Sequence, residues 1–170
     1  MEPMDIPGWT SEEENEWLRN QASRMNFVVE IGCWLGRTAA SLSKDCKGTI
    51  FTVDTFIGSP SEIETNHREV LEYDMYEAAT KNLIGYPNVS IMRMTSLQAS
   101  RMFPNSSIDM VFIDGEHTRE NVLIDLLAWK PKVKHLLCGH DADWEGVYRA
   151  LEIFEIPWRL GPGSIWYMEF

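Results

Sequence analysis

Residues 28–38, Val28-Val29-Glu30-Ile31-Gly32-Cys33-Trp34-Leu35-Gly36-Arg37-Thr38, constrain the fold of this chain more than any other stretch. A β-branched run ends at an acid, two glycines follow, and Thr38-Ala39-Ala40 opens a helix. A second run, Thr49-Ile50-Phe51-Thr52-Val53-Asp54, again ends in an acid. Strand, glycine turn, helix, strand, acid is the order of half a nucleotide-binding α/β domain. Glycines in such a turn let backbone N–H groups and the helix N-terminus come close to a ligand. An acid at the tip of the second strand is placed to accept both ribose hydroxyls.

The turn departs from the dinucleotide pattern G-x-G-x-x-G. Gly32 and Gly36 flank the bulky Cys33-Trp34-Leu35, which leaves less room for two phosphates, and Glu30 repels phosphate while favouring an ammonium group. A ligand with a ribose, an adenine and an amino-acid tail fits better. Glu30-Ile31-Gly32-x-x-x-Gly36-Arg37-Thr38 and Val53-Asp54-Thr55-Phe56 resemble the corresponding turns of class I S-adenosylmethionine-dependent methyltransferases, most closely small bacterial and phage members. The resemblance covers about residues 8–156. It implies a doubly wound, Rossmann-like, seven-stranded and mostly parallel sheet in a three-layer α/β/α sandwich. S-adenosylmethionine is the implied cofactor, with Glu30, Gly32, Trp34, Gly36, Arg37, Thr38, Asp54, Thr55, Ser96 and Asp114 as its binding residues.

The 170 residues suit a single domain, with residues 1–26 as an N-terminal helical segment. Fifteen basic against 26 acidic residues give a net charge of −11, which repels phosphate backbones and argues against a nucleic-acid partner. A small-molecule substrate is the expectation, and nothing in the sequence fixes an oligomeric state. Three cysteines, Cys33, Cys46 and Cys138, show no metal spacing and fit a reducing interior. No signal peptide and no apolar run long enough to span a membrane is evident, so a cytoplasmic protein without membrane contact is expected.

Strand and helix alternate along the chain. Ser11 and Glu14 form a capping-box pair opening a helix that runs to about residue 25, with Trp9 placed to staple onto it. Strands are expected at 27–31, 49–54, 89–94, 108–113, 133–138 and 164–168, with a short one near 158–160. Helices are expected at 38–44, 69–83, 96–103, 118–129 and 146–155. The apolar face of 118–129 is assigned to Val122, Leu123, Leu126 and Leu127. Residues 55–68, polar and unpatterned, read as a lid over the carboxyl ends of the strands. Alternation of this kind marks a doubly wound sheet.

Polar residues gather where the strands end: Glu30, Asp54, Ser96, Asp114 with His117, and His140 with Asp141. Their convergence at one sheet edge argues for a site. Arg37 and Thr38, at a helix start, are suited to a carboxylate, although Thr38 also reads as an N-cap. Asp114, His140 and Asp141 are candidate ligands for a divalent ion, magnesium or manganese, that would lower the pKa of a substrate hydroxyl. An imidazole at His117 suits removal of its proton.

Metal-dependent O-methyltransferases show a similar arrangement. By that resemblance Asp114 is a metal ligand, His117 the base and His140-Asp141 the second ligand pair. His140 stands where those enzymes usually have a carboxylate. Magnesium prefers oxygen ligands, so the nitrogen shifts the expectation towards manganese or another transition metal. Trp34 and Trp144 lie in turns that face the ligand. O-methylation of a sugar or phenol hydroxyl is the implied reaction, with His117 and Asp114 as its catalytic residues. A non-catalytic S-adenosylmethionine-binding protein is the alternative. An iron oxygenase built on His117, His140 and a carboxylate would leave Asp54 and the glycine turn without a role.

Overall fold

The computed structural model describes residues 1–59 and 73–170. The strands are β1 (Phe27–Ile31), β2 (Thr49–Asp54), β3 (Val89–Arg93), β4 (Ile108–Ile113), β5 (Val133–Gly139), β6 (Arg159–Leu160) and β7 (Trp166–Glu169). The helices are α1 (Glu12–Ala22), α2 (Arg37–Asp45), α3 (Met75–Leu83), α4 (Ser96–Ser100), α5 (Arg119–Trp129) and α6 (Glu145–Ile153). They build one seven-stranded sheet of order β3-β2-β1-β4-β5-β7-β6, parallel except for β7, which runs antiparallel to both β5 and β6. The doubly wound, mostly parallel sheet expected from the sequence is therefore present. The part of the 55–68 lid beyond Ser59, and the expected helical residues 69–72, lie outside the described residues.

The central strands are covered on both faces, which is why β4, Ile108-Asp109-Met110-Val111-Phe112-Ile113, is apolar apart from Asp109 and is buried throughout. Side chains alternate between two cores. Val29, Ile31, Val111 and Ile113 pack with Val122, Leu126 and Trp129 of α5 and with Val147 and Leu151 of α6. Val28, Met110 and Phe112 face Leu18 and Ala22 of α1 and Leu42 of α2. Glu30 shares the second parity, so a period of two sends its carboxyl away from the α5 face.

Helix entry follows capping chemistry. Ser11 Oγ accepts the Glu14 N–H at 3.3 Å, and Glu14 Oε2 accepts the Ser11 N–H at 2.7 Å. Trp9 makes no staple: it is 63% exposed. The staple position is polar instead, with Asn15 Nδ2 donating to Thr10 Oγ1 (2.9 Å) and Ser11 O (2.7 Å). Gly36, at φ 95°, is the N-cap of α2 rather than Thr38. Thr95 caps α4 and closes a box with Gln98, so Ser96 is not the cap there. The buried face of α5 is Val122, Asp125, Leu126 and Trp129, whereas Leu127 is 60% exposed. At the amino ends of the central strands Asp109 Oδ2 accepts the Asn26 (2.9 Å) and Phe27 (3.1 Å) N–H groups, and its Oδ1 accepts Lys134 Nζ (2.9 Å). That carboxylate joins the starts of β1, β4 and β5.

Candidate active site

A cavity of about 850 Å³ opens at the carboxyl ends of the strands, where ligands bind in doubly wound sheets. Gly32, Trp34, Arg37, Thr38, Asp54, Thr55, Ser96, Asp114, His117, His140, Asp141 and Trp144 all line it. Glu30 and Gly36 do not.

The floor rests on a close backbone crossing. Gly32 has φ 89°, and a Cβ there would fall 1.8 Å from the Asp114 carbonyl oxygen, so only glycine lets β1 and β4 end side by side. Gly36 serves the turn differently: a Cβ on it would meet Leu83 of α3 at 2.9 Å. Trp34 completes the turn at φ 50°, a left-handed conformation that side chains rarely adopt.

Asp54 is held by that turn. Its Oδ2 accepts the Cys33 (2.8 Å) and Trp34 (2.9 Å) N–H groups and its Oδ1 accepts Phe56 N–H (2.7 Å). A carboxylate offers about four acceptor positions. Three are filled by backbone N–H groups of the turn and of Phe56.

Glu30 departs further from expectation. It is fully buried, lies directly opposite Thr52 in the β1–β2 register and accepts the Thr52 hydroxyl. Burial drives its carboxyl pKa well up, with Asp114 and Asp54 adding to the effect. The side chain lies beneath the turn and does not border the cavity.

Arg37 and Thr38 are engaged with the N-terminal segment. Arg37 Nε donates to Ile6 O (2.7 Å) and its Nη1 to Thr10 O (2.9 Å), while Thr38 Oγ1 lies 3.2 Å from Thr10 Oγ1. Both still border the cavity, but these groups fold Pro7–Thr10 against its rim. Ser96 Oγ takes a hydrogen bond from Trp129 Nε1 (2.8 Å) and donates its own proton to Asp125. Burial pushes the Asp125 carboxyl up to about 6. Asp125 also lines the cavity. Its sequence signal is its place on the helix face of Val122, Leu126 and Trp129, where an acid is out of pattern.

The charged cluster lies at the ends of β4 and β5. One ligand atom each from Asp114, His140 and Asp141 all fall within 4.8 Å of one another. His117 Nε2 lies 3.0 Å from Asp141 Oδ2 and 3.7 Å from Asp114 Oδ1. The His117 ring packs on Trp144, with centroids 4.8 Å apart. Gly146 allows this, since a Cβ there would sit 2.2 Å from the His117 carbonyl oxygen. Asp141 stands at φ 57°, a strained backbone that turns its carboxylate back over His117 and His140.

His140 Nδ1 is buried and makes no hydrogen bond, with Asp141 Oδ1 at 3.2 Å and Asp114 Oδ1 at 3.8 Å. Its Nε2 meets Glu14 Oε1 at 3.0 Å. Burial opposes a charge on this ring, yet the neighbouring Asp141 and Glu14 carboxylates outweigh it and raise the imidazole pKa to about 11. Burial likewise opposes ionisation of Asp141, and the contacts with His117 and His140 drive its pKa far down.

Sheet order, glycine turn and the acid at the tip of β2 define a small-molecule-binding α/β domain, and the comparisons identify which. Residues 29–141 match the family described as "Methyltransferase domain", which is well over half of the chain. The chain belongs to that family and is a class I S-adenosylmethionine-dependent methyltransferase. The oxygenase alternative falls with this assignment.

Among solved structures, the O-methyltransferase NovP matches with a TM-score of 0.72 at 15% identity, covering 92% of this chain and 79% of that one. Cofactor-bound Rv0187 from MTB gives 0.70 at 18%, covering 96% and 82%. An O-methyltransferase from Bacillus cereus in complex with SAH gives 0.63 at 16%, covering 96% and 84%. At these identities the likeness establishes the fold. None of the curated proteins matches the sequence. Among the described residues, no helix is long and apolar enough to cross a membrane.

Proposed function

We propose that this protein transfers the methyl group of S-adenosylmethionine to a hydroxyl of a small molecule, a sugar or a phenol, with a divalent metal on Asp114, His140 and Asp141. The observation that carries the reading is the convergence of those three residues with His117 on the floor of the cavity that Asp54 and Gly32 also line. The donor set suits a metal: two carboxylates and a buried imidazole nitrogen with no hydrogen bond. One nitrogen among the oxygens favours manganese or another transition ion over magnesium. Such an ion would lower the pKa of the acceptor hydroxyl and neutralise the paired acids.

The protein's own groups do the rest. Asp54 and the Cys33-Trp34 turn hold the nucleoside end, and the aromatic rings of Trp34 and Trp144 border the acceptor side. The His117 imidazole accepts the hydroxyl proton, and the Asp141 and Asp114 carboxylates beside its Nε2 stabilise the resulting imidazolium. The acceptor oxygen bonds to the methyl carbon as the carbon–sulfur pair returns to sulfur, leaving S-adenosylhomocysteine.

The test is methyl transfer from labelled S-adenosylmethionine to a panel of phenols and sugars, with and without a chelator. Transfer that needs metal and falls by about 10²–10⁴ in His117→Ala supports the reading. Tight cofactor binding with no transfer to any hydroxyl would favour a non-catalytic binder.

A further inference from the structure

Glu14 enters from the far end of the chain, on the first turn of α1, and is only 5% exposed. A helix cap needs one of its oxygens, and Oε2 is that one, bound to Ser11 N–H and Ser11 Oγ (both 2.7 Å). The other oxygen has no part in the cap. Oε1 accepts Ser164 N–H (2.9 Å) and meets His140 Nε2 (3.0 Å). Gly163, at φ 56°, makes the approach possible, because a Cβ there would fall 2.1 Å from Oε1.

A carboxylate fixed on Nε2 dictates where the other ring nitrogen points. His140 Nδ1 is buried, unbonded, and directed at the Asp141 and Asp114 carboxylates. A histidine that ligates a metal commonly donates its second N–H to a carboxylate, which fixes the tautomer and makes the ligating nitrogen more basic.

We infer that Glu14 is a positioning residue for the metal centre: it holds the Nε2 proton of His140 so that Nδ1 is the ligating atom. This rests on the metal reading above and extends it to α1, which thereby becomes part of the site.

The experiment titrates Mn²⁺ into the full-length protein by electron paramagnetic resonance, with S-adenosylhomocysteine binding as the measure of an intact fold. Glu14→Gln is expected to weaken Mn²⁺ binding about 10–100-fold while keeping the nucleoside. Ser11→Ala, which breaks only the cap side, is expected to lower Tm and leave Mn²⁺ affinity in place. Equal Mn²⁺ affinity in wild type and Glu14→Gln would overturn the inference and spare the metal site. No Mn²⁺ binding by the wild type would overturn the metal reading itself. Should Glu14→Gln not fold, ¹⁵N-histidine NMR of the wild type with Zn²⁺ decides. A perturbed His140 Nδ1 beside a retained Nε2 proton supports the inference, and metal on Nε2 overturns it.

Discussion

Asp54 and Glu30 look equivalent in sequence, each an acid at the end of a strand beside the glycine turn, yet they end in opposite environments. Asp54 reaches the rim and binds backbone amides; Glu30 turns into the sheet and bonds Thr52. Both share one face of the sheet, since Glu30 pairs with Thr52 and Asp54 follows Thr52 by two; they differ in depth, Asp54 standing beyond the last β1–β2 pair and Glu30 one pair inside it. Asp125 shows the same difficulty from the other side: a single acid on the apolar face of α5 that becomes part of the cavity wall. Its pKa is raised from 3.8 to about 6, so its ionisation opposes folding. The penalty is absent below pH 3.8, grows as pH rises through about 6, and is constant above. Asp125→Asn is therefore expected to match wild-type stability near pH 4 and to exceed it at pH 7.5 by up to ~3 kcal/mol. Chemical denaturation at the two pH values measures this, and an equal difference at both would refute it. The meeting of Asp114, His117, His140 and Asp141 was legible, because each stands at or just after the end of a strand. Glu14 was legible only as a cap, since nothing local to residues 11–14 reports a partner 126 residues away.

The elements were read well where a strong pattern marked them. β1, β2 and β4 fall at the expected residues, and β7 and α6 within two of them. The misses are at helix ends. α1 stops at Ala22 and α4 at Ser100, both earlier than expected, because helix ends fray and a following turn keeps partial periodicity. The start of the sheet depends on Asp109, a buried acid in an otherwise apolar strand. Burial opposes its charge, but Lys134 and the Asn26 and Phe27 amides hold its pKa below the usual carboxylate range. Its contribution is present above pH 3.8 and lost as pH falls further. Asp109→Ala is expected to cost about 1–3 kcal/mol at pH 7, since two N–H groups lose their acceptor. Urea unfolding tests it; a cost below about 0.5 kcal/mol would show that water replaces the carboxylate. Leu126, fully buried between sheet and α5, should cost about 2–5 kcal/mol on truncation to Ala, with the cavity floor unaffected.

For the molecule as a whole, one edge of the sheet collects the glycine turn, the nucleoside acid and the charged cluster, while the amino ends of the central strands are tied by Asp109. The N-terminal segment closes over the functional edge through Arg37 and Glu14. Binding at that edge should therefore stabilise the entire domain. At a hundredfold excess over Kd, S-adenosylhomocysteine is expected to add about 2.7 kcal/mol, seen as a rise in Tm that Asp54→Ala abolishes. A folded Asp54→Ala protein with an undiminished rise would remove Asp54 from the cofactor site.

We place the transferable methyl group beside a metal held by Asp114, His140 and Asp141 in this one cavity. That placement is tested most directly by NMR of S-adenosylmethionine carrying a ¹³C-labelled methyl group, bound to the protein with and without Mn²⁺. Strong paramagnetic broadening of the bound methyl resonance, lost in Asp141→Asn, is the predicted result. A bound methyl line that Mn²⁺ leaves sharp would contradict the account.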